Sequence, residues 1–203
     1  MAGKVTIVRA KIQFFIDTVE EMNILFTHSY FLQFDPKQVA HAQPYPPLGT
    51  ILAAALLREN KFKVELFHTM FSSSAKEILP VLDEFKPDVL VIYDDGFNYL
   101  TKMCLSNMRD AAFKMQAYAK NKGCKVIVTS SDAADHAEKY LDHAADFVIV
   151  GEAENTLLEL VLKLTTNETD FETINGLVFK QGAAIHKTPK RLLSKQLDNF
   201  PLP

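Results

Sequence analysis

Pro87-Asp88-Val89-Leu90-Val91-Ile92-Tyr93-Asp94-Asp95-Gly96 carries the strongest strand signal in the chain. Val89-Leu90-Val91-Ile92-Tyr93 is an unbroken apolar run, so a strand built from it has no polar face to turn to water. It needs cover on both sides, as in the middle of a parallel sheet. Pro87-Asp88 introduces the run, and Asp94-Asp95-Gly96 ends it with turn formers.

Towards the N-terminus, Ser72-Ser73-Ser74 caps a helix with apolar positions Ala75, Ile78, Leu79, Leu82 and Phe85, and Lys63-Val64-Glu65-Leu66-Phe67-His68 alternates as a strand. Before that strand, Leu48, Ile51, Leu52, Ala55 and Leu56 recur at helical spacing behind Pro44-Tyr45-Pro46-Pro47, with Pro47 suited to the first turn. Asn23-Ile24-Leu25-Phe26-Thr27-His28 reads as the first central strand. Ahead of it, Val5-Thr6-Ile7-Val8 reads as an extra edge strand in an N-terminal extension (1–22), with a helical turn over 17–21.

Towards the C-terminus, Leu105, Met108, Ala112, Met115 and Ala119 form one helical stripe closed by Lys122 and Gly123. Cys124-Lys125-Val126-Ile127-Val128-Thr129 is a fourth strand, Ala137, Tyr140, Leu141 and Ala144 mark a helix, and Asp146-Phe147-Val148-Ile149-Val150 is a fifth strand ending at Gly151. A last helix carries Leu157, Leu158, Val161 and Leu164. Strands alternating with helices, joined by right-handed crossovers, predict an α/β fold: a doubly wound, flavodoxin-like (Rossmann-like) sheet of five parallel strands over 23–170. A C-terminal hairpin extension follows at 171–190, its two-residue turn placed at Gln181-Gly182. Lys180, Lys187, Lys190, Arg191 and Lys195 form a basic stretch that reads as a solvated tail or as a surface meeting a following domain.

Composition narrows the function. The 203 residues carry 22 Lys+Arg against 25 Asp+Glu, too balanced for a nucleic-acid coat or a polybasic membrane anchor. No run of about eighteen apolar residues suggests a membrane span. Cys104 and Cys124, the only cysteines, lack C-x-x-C spacing, so no Cys-based metal site is expected and a reducing cytoplasm fits.

In open α/β sheets ligands lie beyond the carboxyl ends of the strands at the switch point, which directs attention to the loops after strands one, three, four and five. There is no glycine between Asn23 and Leu48, so a G-x-G-x-x-G dinucleotide site is excluded, and no P-loop occurs anywhere. A phosphoacceptor receiver needs an acidic pair after strand one and a lysine after strand five, where this chain has Thr27-His28 and Gly151-Glu152. The six histidines show no metal-ligand spacing; His28 stands out by its place at the end of the first strand, where packing and ligation are both open. Asp94-Asp95-Gly96 reads as a strand terminator or as a catalytic pair. Gly151-Glu152-Ala153-Glu154-Asn155 combines a sharp turn with acids at a helix N-terminus, and a structural role stands beside a binding one.

Taken in order, Tyr45-Pro46-Pro47-Leu48-Gly49, the segments AALLREN, KVELF and KPDVLVIY, then ADFVIVGEAENTLLEL, INGLVFKQG and LDNFPLP resemble the N-terminal cobalamin-binding domain of cobalamin-dependent radical S-adenosylmethionine enzymes. The resemblance runs from about Asn23 to Pro203. It implies a domain that holds cobalamin at the carboxyl edge of its sheet, on a rim made by Pro47, Leu48, Gly49 and Thr50; Asp94, Asp95 and Gly96; Ser130, Ser131 and Asp132; and Gly151, Glu152, Glu154 and Asn155. It also implies a downstream radical S-adenosylmethionine barrel of the same polypeptide, reached through a linker at 191–203, carrying a four-iron iron-sulfur cluster and S-adenosylmethionine. By itself the chain is then a non-catalytic binding module, and radical generation with methyl transfer or rearrangement belongs to the whole enzyme.

Two departures from the family pattern matter. The D-x-H-x-x-G motif that supplies a lower histidine ligand in cobalamin mutases is absent, so no protein histidine is expected on cobalt. Ser130-Ser131-Asp132-Ala133 stands where the family has a Gly-rich turn, adding bulk and a charge near any phosphate. The alternative implied is a degenerate docking domain without cofactor, its rim filled by its own Tyr93, Phe97 or Tyr99.

Overall fold

The computed structural model describes residues 22–41, 44–94, 104–195 and 200–203. The expected edge strand at Val5-Thr6-Ile7-Val8 and the turn at 17–21 lie outside the described residues. Strands β1 (Asn23–Thr27), β2 (Lys63–Phe67), β3 (Val89–Tyr93), β4 (Lys125–Thr129), β5 (Phe147–Ile149), β6 (Leu177–Gln181) and β7 (Ala184–Lys187) form one sheet in the order β2-β1-β3-β4-β5-β6-β7. The first five pair in parallel, while β6 and β7 join antiparallel. The sheet is therefore a mostly parallel one of seven strands, not five with a separate hairpin. The reason is readable in Leu177, Val178 and Phe179, all buried, whose side chains extend both faces of the core. The hairpin turn falls at Gly182-Ala183, one residue later than expected, since Gln181 pairs with Ala184 and Gly182 takes φ +63°.

Six described helices accompany the strands that position the site: α1 (Pro36–His41), α2 (Leu48–Glu59), α3 (Ile78–Phe85), α4 (Leu105–Asn121), α5 (Ser131–Asp135) and α6 (Ala137–Asp142); α7 (Glu154–Thr165) completes the set. Alternate residues of each central strand feed opposite layers. Leu25, Leu90, Ile92, Val126, Val128 and Val148 pack against α3, α4 and α6. Ile24, Phe26, Val89, Val91, Ile127 and Ile149 pack against α2 and α7. β3 is buried along its whole length, as its composition requires.

The expected apolar stripes need two corrections. On α2 the deepest positions are Thr50, Ala53 and Leu57, while Leu48 is 53% exposed. The first turn is rotated because the Thr50 hydroxyl donates to the Tyr93 carbonyl at 2.7 Å. Leu105 likewise lies at the exposed start of α4, whose inner face is Met108, Ala111, Ala112, Met115, Gln116 and Ala119. Ser74 makes no side-chain cap; instead Glu77 accepts from the Ser73 N–H at 2.7 Å.

Gln116 is fully buried and neither end of its amide has a hydrogen-bond partner. Leaving a polar group unpaired in a core costs about 1–3 kcal/mol. Gln116→Met, which keeps the length of the side chain, is expected to stabilise the protein by about 1 kcal/mol; a higher urea midpoint at unchanged slope is the measurement that checks it.

Candidate functional site

The strand order reverses between β1 and β3, and the described residues that follow β1, β4 and β5, with Asp94 after β3, lie along the carboxyl edge of the sheet. Of the residues expected on this rim, Asp95 and Gly96 lie outside the described residues, as do Phe97 and Tyr99. The rest are described, and most of their side chains are engaged within the protein.

Asp94 follows β3 directly and is buried. Its carboxylate accepts from the Ser29 N–H at 2.6 Å and the Ser29 hydroxyl at 2.8 Å, and its own N–H donates to the Thr129 carbonyl at 2.9 Å. It thereby ties the ends of β1, β3 and β4 together. One residue earlier, Tyr93 links the two helices on the opposite side of the rim. Its hydroxyl donates to Glu154 Oε1 at 2.8 Å in the first turn of α7, and a Cβ on Gly49 in the first turn of α2 would stand 3.1 Å from its ring. Glycine is needed at position 49 because the Tyr93 ring occupies the space a side chain would take.

Ser130 and Asp132 sit on a helix where the sequence suggested a bare loop. Ser130 caps α5, its hydroxyl accepting from the Ala133 N–H at 2.8 Å. A serine followed by Ser131-Asp132 is a helix-start signal that finds this turn. Asp132 is buried and does not present a free charge. Arg109 grips it with Nε at 2.7 Å and with Nη2, and the Tyr140 hydroxyl donates to it at 2.8 Å. Burial opposes ionisation of Asp132, but the Arg109 and Tyr140 hydrogen bonds outweigh it and hold the carboxyl below its ordinary value. Arg109 and Tyr140 carry no motif; a lone arginine four residues into a helix gives no signal of its partner.

At the end of β5, Gly151 takes φ +95°, and nothing lies within 4 Å of where its Cβ would be. Glu152 accepts from the Ser194 N–H at 2.9 Å. Arg191 donates to the Thr156 hydroxyl at 2.7 Å and pairs with Glu159. Residues 188–194 thus return along α7 to the rim, so Arg191 belongs to a strap rather than to a solvated tail. Asn155 is half-buried in the first turn of α7, and Pro47 is the residue preceding α2.

His28 is 3% exposed. Thr69 donates its hydroxyl proton to the Tyr30 carbonyl at 2.7 Å, so it accepts from the His28 ring, whose Nδ1 is 3.0 Å away. Burial, with the His68 ring beside it at 5.0 Å, lowers the His28 pKa to about 3. The imidazole is neutral, faces inward and is hydrogen-bonded to Thr69. Below it, Tyr30, Met70, Cys104 and Met108 form a small cluster that fills the α4 side of the edge, with the Cys104 thiol pushed up by burial. Both cysteines are free and buried, and no group of three metal-ligating side chains occurs among the described residues. Nor is any helix of the described residues long and apolar enough to cross a membrane. Two cavities, of about 650 Å³ beside α6 and the hairpin and about 480 Å³ between Phe34, Ala75 and α4, contain none of the expected rim residues.

With the strand order and the rim described, likeness to known structures can be placed on them. A cobalamin-dependent radical enzyme and a radical S-adenosylmethionine methyltransferase share this fold. The S-adenosylmethionine radical enzyme OxsB, solved with aqua-cobalamin and S-adenosylmethionine bound, superposes with a TM-score of 0.66 at 17% identity, covering 91% of this chain and 24% of that one. The radical S-adenosylmethionine methyltransferase TsrM from Kitasatospora setae, solved with cobalamin and a 4Fe-4S cluster bound, gives 0.65 at 13% identity, covering 90% of this chain and 31% of that one. This chain therefore spans about a quarter to a third of the length of those enzymes. No protein-family model and no curated protein sequence matches it.

His28 also makes a prediction about pH. Its pKa is lower in the folded protein than the unfolded value near 6.5, so its contribution is fully present above pH 6.5 and is lost as pH falls towards about 3. His28→Gln is expected to remove about 2 kcal/mol of the stability lost between pH 7.5 and pH 5. Urea titrations of both proteins at the two pH values check it.

Proposed function

We propose that this chain is the cobalamin-binding module of a radical S-adenosylmethionine enzyme of the methyl-transfer or rearrangement class, and that it holds the corrinoid with no histidine on cobalt. The reading rests on one observation: a fold likeness over about nine-tenths of the chain to two enzymes of that class whose structures contain cobalamin. In this reading residues 191–203 lead to a barrel that carries the iron-sulfur cluster and S-adenosylmethionine, and the protein works in the cytoplasm.

The rim fits the group in most places. The Asp132 charge is neutralised by Arg109, so it offers no repulsion to a phosphate. Gly151 leaves open space over the end of β5, and exposed Leu48 offers apolar contact at the start of α2. Because the side chains of Thr50, Asp94, Ser130 and Asp132 are engaged internally, the rim holds its ligand through backbone groups and surface contact around Pro47, Gly49, Ser131, Gly151 and Asn155. Bound cobalamin supplies a cobalt ion able to accept and pass on a methyl group. His28 takes no part, since reaching cobalt would break its bond to Thr69 and expose a buried ring.

A second reading, a docking domain of the same kind of enzyme that binds no cofactor, is favoured by one feature. Tyr93 stands between the first turns of α2 and α7, filling that part of the rim from within.

Gel filtration of the purified chain with hydroxocobalamin at micromolar concentration separates the two. Co-elution of corrin absorbance with the protein, retained in His28→Gln, is expected. A folded chain that elutes free of corrin would overturn the first reading and leave the second.

A further inference from the structure

We infer that Tyr93 is a specificity-determining plug: it bars the nucleotide tail of a corrinoid from the space between α2 and α7, so that the chain selects ligands by their corrin ring and is indifferent to the tail. This inference rests on the cobalamin reading above and concerns which corrinoid the same rim accepts.

A corrin ring is too broad to pass between two helices packed on a sheet and has to lie across the strand ends. Its tail, a planar base on a ribose phosphate, is narrow enough to descend beside the sheet if a slot is open. On the α4 side the described residues take up the space, with Tyr30, Met70 and Met108 packed together near the end of β1 and the Arg109–Asp132 pair at the end of β4. On the other side the walls are favourable: α2 presents Gly49, which has no side chain, and the two helices begin at the rim with their amide ends towards it. Among the described residues, Tyr93 stands in that slot. Tyr93 is 7% exposed, its ring lies 3.1 Å from where a Cβ on Gly49 would stand, and its hydroxyl is hydrogen-bonded to Glu154. The ring is about the size of the planar base it would have to admit, and it does not swing aside without breaking the Glu154 bond.

Binding of hydroxocobalamin and of cobinamide, the same corrin without the nucleotide, to the purified chain and to Tyr93→Ser, Tyr93→Leu and Tyr93→Phe tests this. Absorbance titration gives the dissociation constants, and circular dichroism with a melting curve confirms that each variant is folded. The expected result is that the unaltered chain binds the two corrinoids within threefold of each other, while Tyr93→Phe, which keeps the ring but loses the Glu154 bond, gains less for hydroxocobalamin than Tyr93→Ser does. Tyr93→Ser gains at least tenfold for hydroxocobalamin and less than threefold for cobinamide. Tyr93→Leu lies between and serves in place of Tyr93→Ser if the latter does not fold. A tenfold preference of the unaltered chain for hydroxocobalamin, or equal gains for both ligands in Tyr93→Ser, overturns the inference while leaving the module reading intact. Failure of every protein to bind either corrinoid overturns the module reading itself, and the plug with it.

Discussion

The central strand β3 has no water on either face, and this condition governs what happens where it ends. Polar groups that emerge from a dry strand have to be paired before the chain reaches solvent, or the strand is not stable there. At Tyr93 and Asp94 this is met five times over: the Tyr93 carbonyl by Thr50, its hydroxyl by Glu154, the Asp94 carboxylate twice by Ser29, and the Asp94 N–H by Thr129. These bonds reach β1, β4, α2 and α7. Two successive residues therefore set the mutual positions of the elements that frame the rim, on both sides of the sheet.

The same condition explains the chemical character of the rim. Side chains that looked like ligand-binding groups in the sequence are the ones consumed in holding the strand ends together. Asp94 and Asp132 are buried carboxylates with fixed donors, and Ser130 and Thr50 are spent on a helix start and a strand end. What is left towards solvent is backbone, Gly151, Leu48, Ser131 and Glu152.

The sequence revealed the alternation of strands and helices because each central strand is a short apolar run and each helix repeats its apolar positions, signals that depend on burial alone. It also indicated where a rim would form. Partnerships between distant residues were not legible. Nothing in the neighbourhood of Arg109 points to Asp132, twenty-three positions later, and nothing around Ser29 points to Asp94. The rotation of α2 was misread because Thr50, a polar residue, is among its deepest positions, and only the Tyr93 carbonyl explains why. The extent of the sheet was underread for the opposite reason. Leu177-Val178-Phe179 is as apolar as the other buried strands, but a hairpin turn nearby suggested an appendage.

Addition of β6 and β7 also moves the boundary of the sheet. Among the described residues β7 is the outermost strand on that flank, and its last residue, Lys187, is exposed, as is Lys180 on β6, which lies opposite Ile185. Unpaired backbone along such a margin is a template for another chain, and lysines beside it make that encounter unfavourable. The hairpin thus places a charged, short ribbon where β5, buried on both faces, would otherwise offer an apolar edge for self-association.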